Sequence, residues 1–121
     1  MLFDLYTSPE EAKINRGIER IARLVNMHGE EGGIEPARLE VAVVAHGPAI
    51  WDLTRNGQGE GNPNAELVEV LIENGVRFVV CGQAATHLGV EKSDLLPGVE
   101  VALSAMTAHA LFQKDGYTLI P

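Results

Sequence analysis

The feature that most constrains the fold is a run of five apolar residues, VAVVA at positions 41–45, with no polar residue inside it. A strand with one face in water alternates apolar and polar residues, whereas a strand covered on both faces is apolar throughout. The run therefore predicts a buried strand of a parallel sheet. Parallel strands need long crossover connections, so helices are expected between the strands.

Strand-like and helix-like patterns alternate along the chain, and 121 residues leave room for one domain, covering positions 1–121. Right-handed crossovers then place helices on both faces of the sheet. The predicted fold is α/β, a single-domain three-layer fold with a parallel sheet between helices. Strands are predicted at positions 2–6, 41–45, 76–80, 99–103 and 117–120, and helices at 8–29, 62–74, 83–88 and 105–114.

The ends of two helices are predicted from cap residues. The first helix is expected to begin at Ser8, because Ser8, Pro9 and Glu11 fit the N-cap, first and third positions of a capping box. Ser104 is expected to cap the helix at 105–114. Along the first helix, apolar residues at helical spacing predict one buried stripe, and a glycine predicts its end. These are Ile14, Ile18, Ile21, Val25 and Gly29.

The composition argues against several partners. A net charge of −8 disfavours both a nucleic-acid backbone and an anionic membrane surface. No apolar run approaches the roughly 18 to 20 residues of a membrane span. The first residues show no basic region followed by an apolar stretch, so no signal peptide is predicted and a cytoplasmic location is the default expectation.

The chain has one cysteine, Cys81, which has no partner for an internal disulfide. It lies between the predicted strand at 76–80 and the helix at 83–88. Amide N–H groups at a helix N-terminus stabilise an anion, so this position favours a thiolate, and Gly82 removes bulk beside the sulfur. The features suit a nucleophile or a persulfide carrier. The alternative is a packed thiol, because free cysteine is among the most buried residue types.

Ligands of open α/β sheets bind beyond the carboxyl ends of the strands. His46 follows the strand at 41–45, and either tunes a group there or bonds to backbone as a strand-end residue. Gln83 and His46 are expected to orient the sulfur of Cys81. Trp51 is expected to wall the pocket, and Ser104 lies at another strand end and lines it as well as capping a helix.

No cofactor or metal is expected. The glycine-rich segment at 57–61 lacks the Gly-Lys-Ser/Thr of a P-loop and is interpreted as a flexible connection. A metal site built from Cys81 and histidines is rejected because the spacing matches no zinc pattern. The other three histidines are interpreted as helix-face residues. They are His28, His87 and His109.

Four segments in register make the chain resemble the DsrE/DsrF-like family. They are VAHGP at 44–48, GVRFVVCG at 75–82, DLLPGV at 94–99, and the ending from SAM at 104–106 through GY at 116–117. The resemblance implies a parallel, five-stranded sheet and assembly as a homo-oligomer, a trimer or hexamer. It also implies a sulfur-relay function, in which Cys81 holds sulfane sulfur as a persulfide.

Two functions follow as hypotheses. In the first, Cys81 accepts sulfane sulfur from a donor protein or small thiol and yields it to an acceptor thiol. In the second, the same crevice belongs to a non-catalytic oligomeric module that binds a small ligand. The two differ in whether the thiol carries sulfur.

Overall fold

The computed structural model describes residues 1–9, 13–27, 40–59 and 61–120. Within these ranges, strands alternate with helices as the sequence predicts. The strands are β1 Leu2–Leu5, β2 Ala42–Ala45, β3 Arg77–Cys81, β4 Glu100–Ala102 and β5 Leu119–Ile120. The α-helices are α1 Arg16–Asn26, α2 Ala65–Glu73, α3 Gly82–Leu88 and α4 Ala105–Lys114, and 3-10 helices span Gly47–Leu53 and Lys92–Asp94.

All five strands form one parallel sheet in the order β4-β3-β2-β1-β5. The central strand β2 is the predicted apolar run, and all of its residues are buried. Covering on both faces explains why this strand carries no polar alternation. The predicted parallel, five-stranded sheet is confirmed.

Alternate residues of the strands belong to two apolar clusters, one on each face of the sheet. The larger cluster lies under α1, α2 and α3, and includes Val43 and Phe78. The smaller cluster lies under α4, and includes Val44 and Val79. Helices therefore cover both faces, as predicted. The connection through α4 also carries the chain from β4 at one edge of the sheet to β5 at the other.

The start of α1 differs from the prediction at Ser8, which was wrong. The helix begins at Arg16, and its N-cap is Asn15, whose Oδ1 accepts a hydrogen bond from Gly17 N at 2.8 Å. Ser8 Oγ instead donates to Asp52 Oδ1 at 3.1 Å. Ser8 therefore makes a tertiary hydrogen bond in place of the helix cap that the local pattern predicted.

The buried stripe of α1 is confirmed at Ile18, Ile21 and Val25. It is wrong at Ile14, which lies before the helix and is 43% exposed. The predicted cap partner Glu11 and the predicted helix end at Gly29 lie outside the described residues. Among the described residues, no helix has the length and apolar character needed to cross a membrane.

Candidate functional site

The chain leaves β3 and β4 toward opposite faces of the sheet. The helix after β3 is α3, whose Ala85 joins the larger cluster. The helix after β4 is α4, whose Ala108 and Phe112 join the smaller one. Open α/β sheets bind ligands at the carboxyl ends of adjacent parallel strands that send their chains to opposite faces. Cys81 ends β3 at this position, and Ser104 follows β4 there. We call this position, at the carboxyl ends of β3 and β4, the crevice.

Cys81 is a free thiol, 6% exposed, and is the N-cap of α3. Its Sγ accepts a hydrogen bond from the amide N–H of Ala84 at 3.4 Å. The predicted position between a strand and a helix start is confirmed. The bond places the sulfur against the positive end of the helix dipole, and this interaction is stronger for a thiolate than for a thiol.

Gly82 lies where the start of α3 approaches the end of β4. A Cβ atom at this residue would lie 2.8 Å from the carbonyl oxygen of Ala102 and 3.6 Å from that of Leu103. Because the 2.8 Å contact is with backbone, a larger residue would have to push the start of α3 and the end of β4 apart. Glycine therefore allows the start of α3 to lie in close contact with the end of β4.

His46 lies beside Cys81 in the continued strand register. The last paired residues of β2 and β3 are Ala45 and Val80, so His46 and Cys81 are each one step further along neighbouring strands. The ring of Tyr6, one step beyond β1, lies 5.0 Å from the His46 ring between centroids. No hydrogen bond joins His46 to Cys81 within the described ranges. The predicted orienting role of His46 stays a prediction.

The imidazole of His46 is bound to a carboxylate on β1. His46 Nε2 lies 3.0 Å from Asp4 Oδ1 and 2.9 Å from Asp4 Oδ2. His109 of α4 approaches the same carboxylate, with its Nε2 2.8 Å from Asp4 Oδ1. Partial burial raises the pKa of Asp4, but hydrogen bonds and charge from the two histidines outweigh it, so this pKa lies below its ordinary value.

The sequence did not lead us to place Asp4 and His109 in the site, although each interrupts an apolar pattern. Asp4 interrupts the apolar strand LFDL, in which Leu2 faces the α4 side. His109 lies at helical spacing from Ala105 and Phe112, so it shares their inward stripe. A polar residue on each of two facing apolar surfaces indicates a polar contact between them.

Three other predicted site residues have different surroundings. Ser104 is confirmed as the cap of α4, because its Oγ accepts from Thr107 N at 3.1 Å. Gln83 is exposed in the first turn of α3. Trp51 packs against the larger cluster, and lines a cavity of about 480 Å³ with residues of the segment 54–59. Their predicted roles in binding stay predictions.

A metal-binding arrangement is not seen in the described part of the chain, where no three His, Cys, Asp or Glu side chains are placed to hold an ion. The Asp4 carboxylate and the two imidazoles are joined by hydrogen bonds instead. The cluster is therefore suited to positioning rings and sharing charge.

The sequence profile of the DsrE/DsrF-like family matches residues 1–121. The chain belongs to the DsrE/DsrF-like family. This confirms the resemblance found in the sequence motifs. Among curated proteins, no sequence matches this DsrE/DsrF-like chain.

Two solved structures share the fold of this DsrE/DsrF-like chain. One is the protein of unknown function MTH1491 from Methanobacterium thermoautotrophicum, which is 24% identical over 98% of this chain and 95% of that one, with a TM-score of 0.72. The other is the ychN protein from E. coli, which is 16% identical over the same shares of the two chains, with a TM-score of 0.71. At these identities the likeness concerns the fold alone.

Proposed function

We propose that this DsrE/DsrF-like protein carries sulfane sulfur as a persulfide on Cys81. The observation that carries the proposal is the place of the thiol. The one cysteine of the chain ends β3 at the crevice between β3 and β4, and its Sγ accepts an amide N–H from the first turn of α3. Membership of a family with a sulfur-relay-related fold supports the same chemistry.

Loading is a thiol exchange in which the Cys81 thiolate attacks the outer sulfur of a donor persulfide, R–S–SH. A bond forms between Cys81 Sγ and that sulfur, the donor S–S bond breaks, and its electron pair leaves with the donor as R–S⁻. Unloading repeats the exchange with an acceptor thiolate, which takes the outer sulfur and leaves Cys81 as a thiolate. Neither step needs an oxidant, a reductant or a cofactor.

The burial of Cys81 suits a carrier. The sulfur is largely covered by protein, which limits its contact with small oxidants in solution. A second sulfur atom extends the side chain by about 2 Å, so the transferable atom lies beyond the buried Sγ. The amide of Ala84 remains available to stabilise the thiolate that each unloading step regenerates.

The surroundings of the crevice suit a protein partner or a second copy of the chain. Three large apolar side chains beside Ser104 lie in water, namely Val101, Leu103 and Met106, which are 45%, 75% and 78% exposed. Exposed apolar residues that cluster in this way are typical of interaction sites. They support exchange with donor and acceptor proteins or thiols, and assembly as a homo-oligomer.

Mass spectrometry tests the carrier function directly. Protein incubated with polysulfide or thiosulfate is expected to gain about 32 Da per sulfur atom bound by thiol exchange. The gain is expected to disappear with reductant and to be absent from Cys81→Ser, which keeps the size of the side chain. A parallel incubation of wild-type protein that has first been alkylated at Cys81 controls for sulfur held elsewhere.

The opposite result favours the small-ligand-binding module. A folded protein whose Cys81 alkylates readily, but which takes up sulfur from no donor, is not a carrier. The crevice and the Asp4 cluster with His46 and His109 then remain as a polar site at the strand ends. Slow alkylation alone does not separate the two functions, because an interface between copies of the chain also shields the sulfur.

A further inference from the structure

One carboxylate is in contact with side chains from two other parts of the fold. Asp4 is on β1, His46 follows β2, and His109 is on α4. Both oxygens of Asp4 lie within 3.0 Å of His46 Nε2, and Oδ1 also lies 2.8 Å from His109 Nε2. An ionised carboxylate only accepts hydrogen bonds, so each ring has to carry a proton on Nε2.

The two rings differ at their other nitrogen. His109 Nδ1 is buried and has no hydrogen-bond partner among the described residues. His109 therefore joins the cluster through Nε2 alone. Its Nε2–H donates to Asp4 Oδ1 and holds the carboxylate in place.

His46 is the ring on the strand next to Cys81. In the described ranges its hydrogen bonds run through Nε2 to Asp4, which leaves Nδ1 open. The groups around it are Asp4 on β1, Tyr6 beyond β1, His109 on α4 and Cys81 on the neighbouring strand. Of these, the Asp4 carboxylate is in direct contact with the ring, at 2.9 Å from Nε2.

The strand register brings the backbone of His46 beside that of Cys81. Neighbouring strands lie about 4.8 Å apart, so the one-step continuation past Ala45 and Val80 puts His46 a single strand spacing from Cys81. A nucleophile, an imidazole beside it and a carboxylate behind the imidazole form the arrangement by which proteins activate thiols.

We propose that Asp4 and His109 are positioning residues that act on Cys81 through His46. Asp4 holds the His46 imidazole through Nε2 on the strand next to Cys81, and His109 holds Asp4. Held there, the His46 ring stabilises the Cys81 thiolate that attacks a donor and that reappears when an acceptor takes the sulfur. The inference rests on the proposed function for the sulfur chemistry, but its effect on thiol reactivity is measurable without sulfur.

The test is the pH dependence of Cys81 alkylation by iodoacetamide. Asp4→Asn keeps the shape of the side chain and removes its charge, so we expect the profile to move about one pH unit toward alkaline values and the rate at pH 7 to fall about tenfold. In a His46→Ala background, Asp4→Asn is expected to have no further effect, because the path runs through His46.

A pair of substitutions at His109 provides the matched control. Gln carries an N–H near the position of His Nε2, so His109→Gln is expected to keep the wild-type profile, whereas His109→Ala is expected to shift it in the same direction as Asp4→Asn. Circular dichroism and urea unfolding check the fold of each variant. If Asp4→Asn does not fold, the comparison of His109→Gln with His109→Ala decides by itself.

The outcomes separate this proposal from the carrier function. Unchanged alkylation profiles in Asp4→Asn and His109→Ala overturn the positioning role, even where the wild type takes up sulfur. An equal effect of Asp4→Asn with and without His46 also overturns it, because the charge then acts directly. Shifted alkylation profiles in a protein that never gains sulfur support the positioning role and contradict the carrier function.

Discussion

At the scale of single residues, the close packing around Cys81 depends on the missing side chain of Gly82. Cys81 is covered by its own strand, by the first turn of α3 and by the end of β4. Gly82 allows this crowding, because the nearest neighbour of its missing Cβ is the backbone carbonyl oxygen of Ala102, at 2.8 Å. A flexible side chain moves aside at little cost in free energy, whereas a strand backbone in a paired sheet does not.

Gly82→Ala is therefore expected to destabilise the fold. A methyl group 2.8 Å from the Ala102 oxygen has to displace β4, and overpacking of this kind costs about 1–3 kcal/mol. Urea unfolding followed by circular dichroism measures the change in the free energy of unfolding. Gln83→Ala, one residue further along and exposed, is the matched control and is expected to stay within about 0.5 kcal/mol of the wild type. Equal stability of the two variants would contradict the crowded geometry.

At the scale of elements, the connection from β1 to α1 is held by a buried polar network and not by a local capping box. Asn15 N donates to Asn64 Oδ1 at 2.7 Å, and Asn15 Nδ2 donates to Thr7 O at 2.9 Å and Asp52 Oδ2 at 2.8 Å. Burial raises the pKa of Asp52, and hydrogen bonds from Asn15 and Ser8 oppose that rise in part. One asparagine thus caps α1 and binds it to the segment before α2.

Asn15→Ala removes the cap of α1 and a donor to a buried carboxylate at once. Loss of a cap costs about 1 kcal/mol, and loss of a partner by a buried charged group costs about 1–3 kcal/mol, so we expect about 2–4 kcal/mol in total. Thermal and urea unfolding measure it. Ser104→Ala removes a cap from α4 and an exposed hydrogen bond with Thr107 Oγ1, but no bond to a buried carboxylate, and is expected to cost only about 1 kcal/mol. A smaller decrease in the free energy of unfolding for Asn15→Ala than for Ser104→Ala would show that the network does not stabilise the fold.

At the scale of the whole molecule, an apolar surface lies next to the sulfur crevice. Leu103 and Met106 are the most exposed large apolar residues of the described chain, and Val101 adjoins them on the edge strand β4. Natural sheets rarely leave such an edge bare in water. A symmetric contact between copies of the chain would cover it, in line with the trimer or hexamer that the family resemblance implies.

Light scattering is expected to give a mass that is a multiple of the 13.0 kDa of one chain at micromolar concentration. Met106→Glu introduces a charge into the surface and is expected to lower the measured mass toward 13.0 kDa. Met27→Glu is the matched control, since Met27 is equally a surface methionine but follows α1 on the opposite face of the sheet. A wild-type mass of one chain, or equal masses for the two variants, would exclude this surface as the interface.

The amino-acid sequence by itself determined the α/β class, the buried strand at 41–45, the cap at Ser104 and the place of Cys81 between a strand and a helix. Each of these depends on residues that are neighbours along the chain. Local spacing sets which backbone conformation and which buried face are favourable, and it does so before any tertiary contact forms.

Only the tertiary structure decided where α1 begins and which groups surround the sulfur. Asn15 replaces Ser8 as the cap because Asp52 and Asn64, 37 and 49 residues further on, lie against it. Asp4 meets His109 across 105 residues of chain because β1 lies inside the sheet and α4 crosses its face. Hydrogen bonds between distant segments depend on strand order and crossover, and no local pattern encodes these.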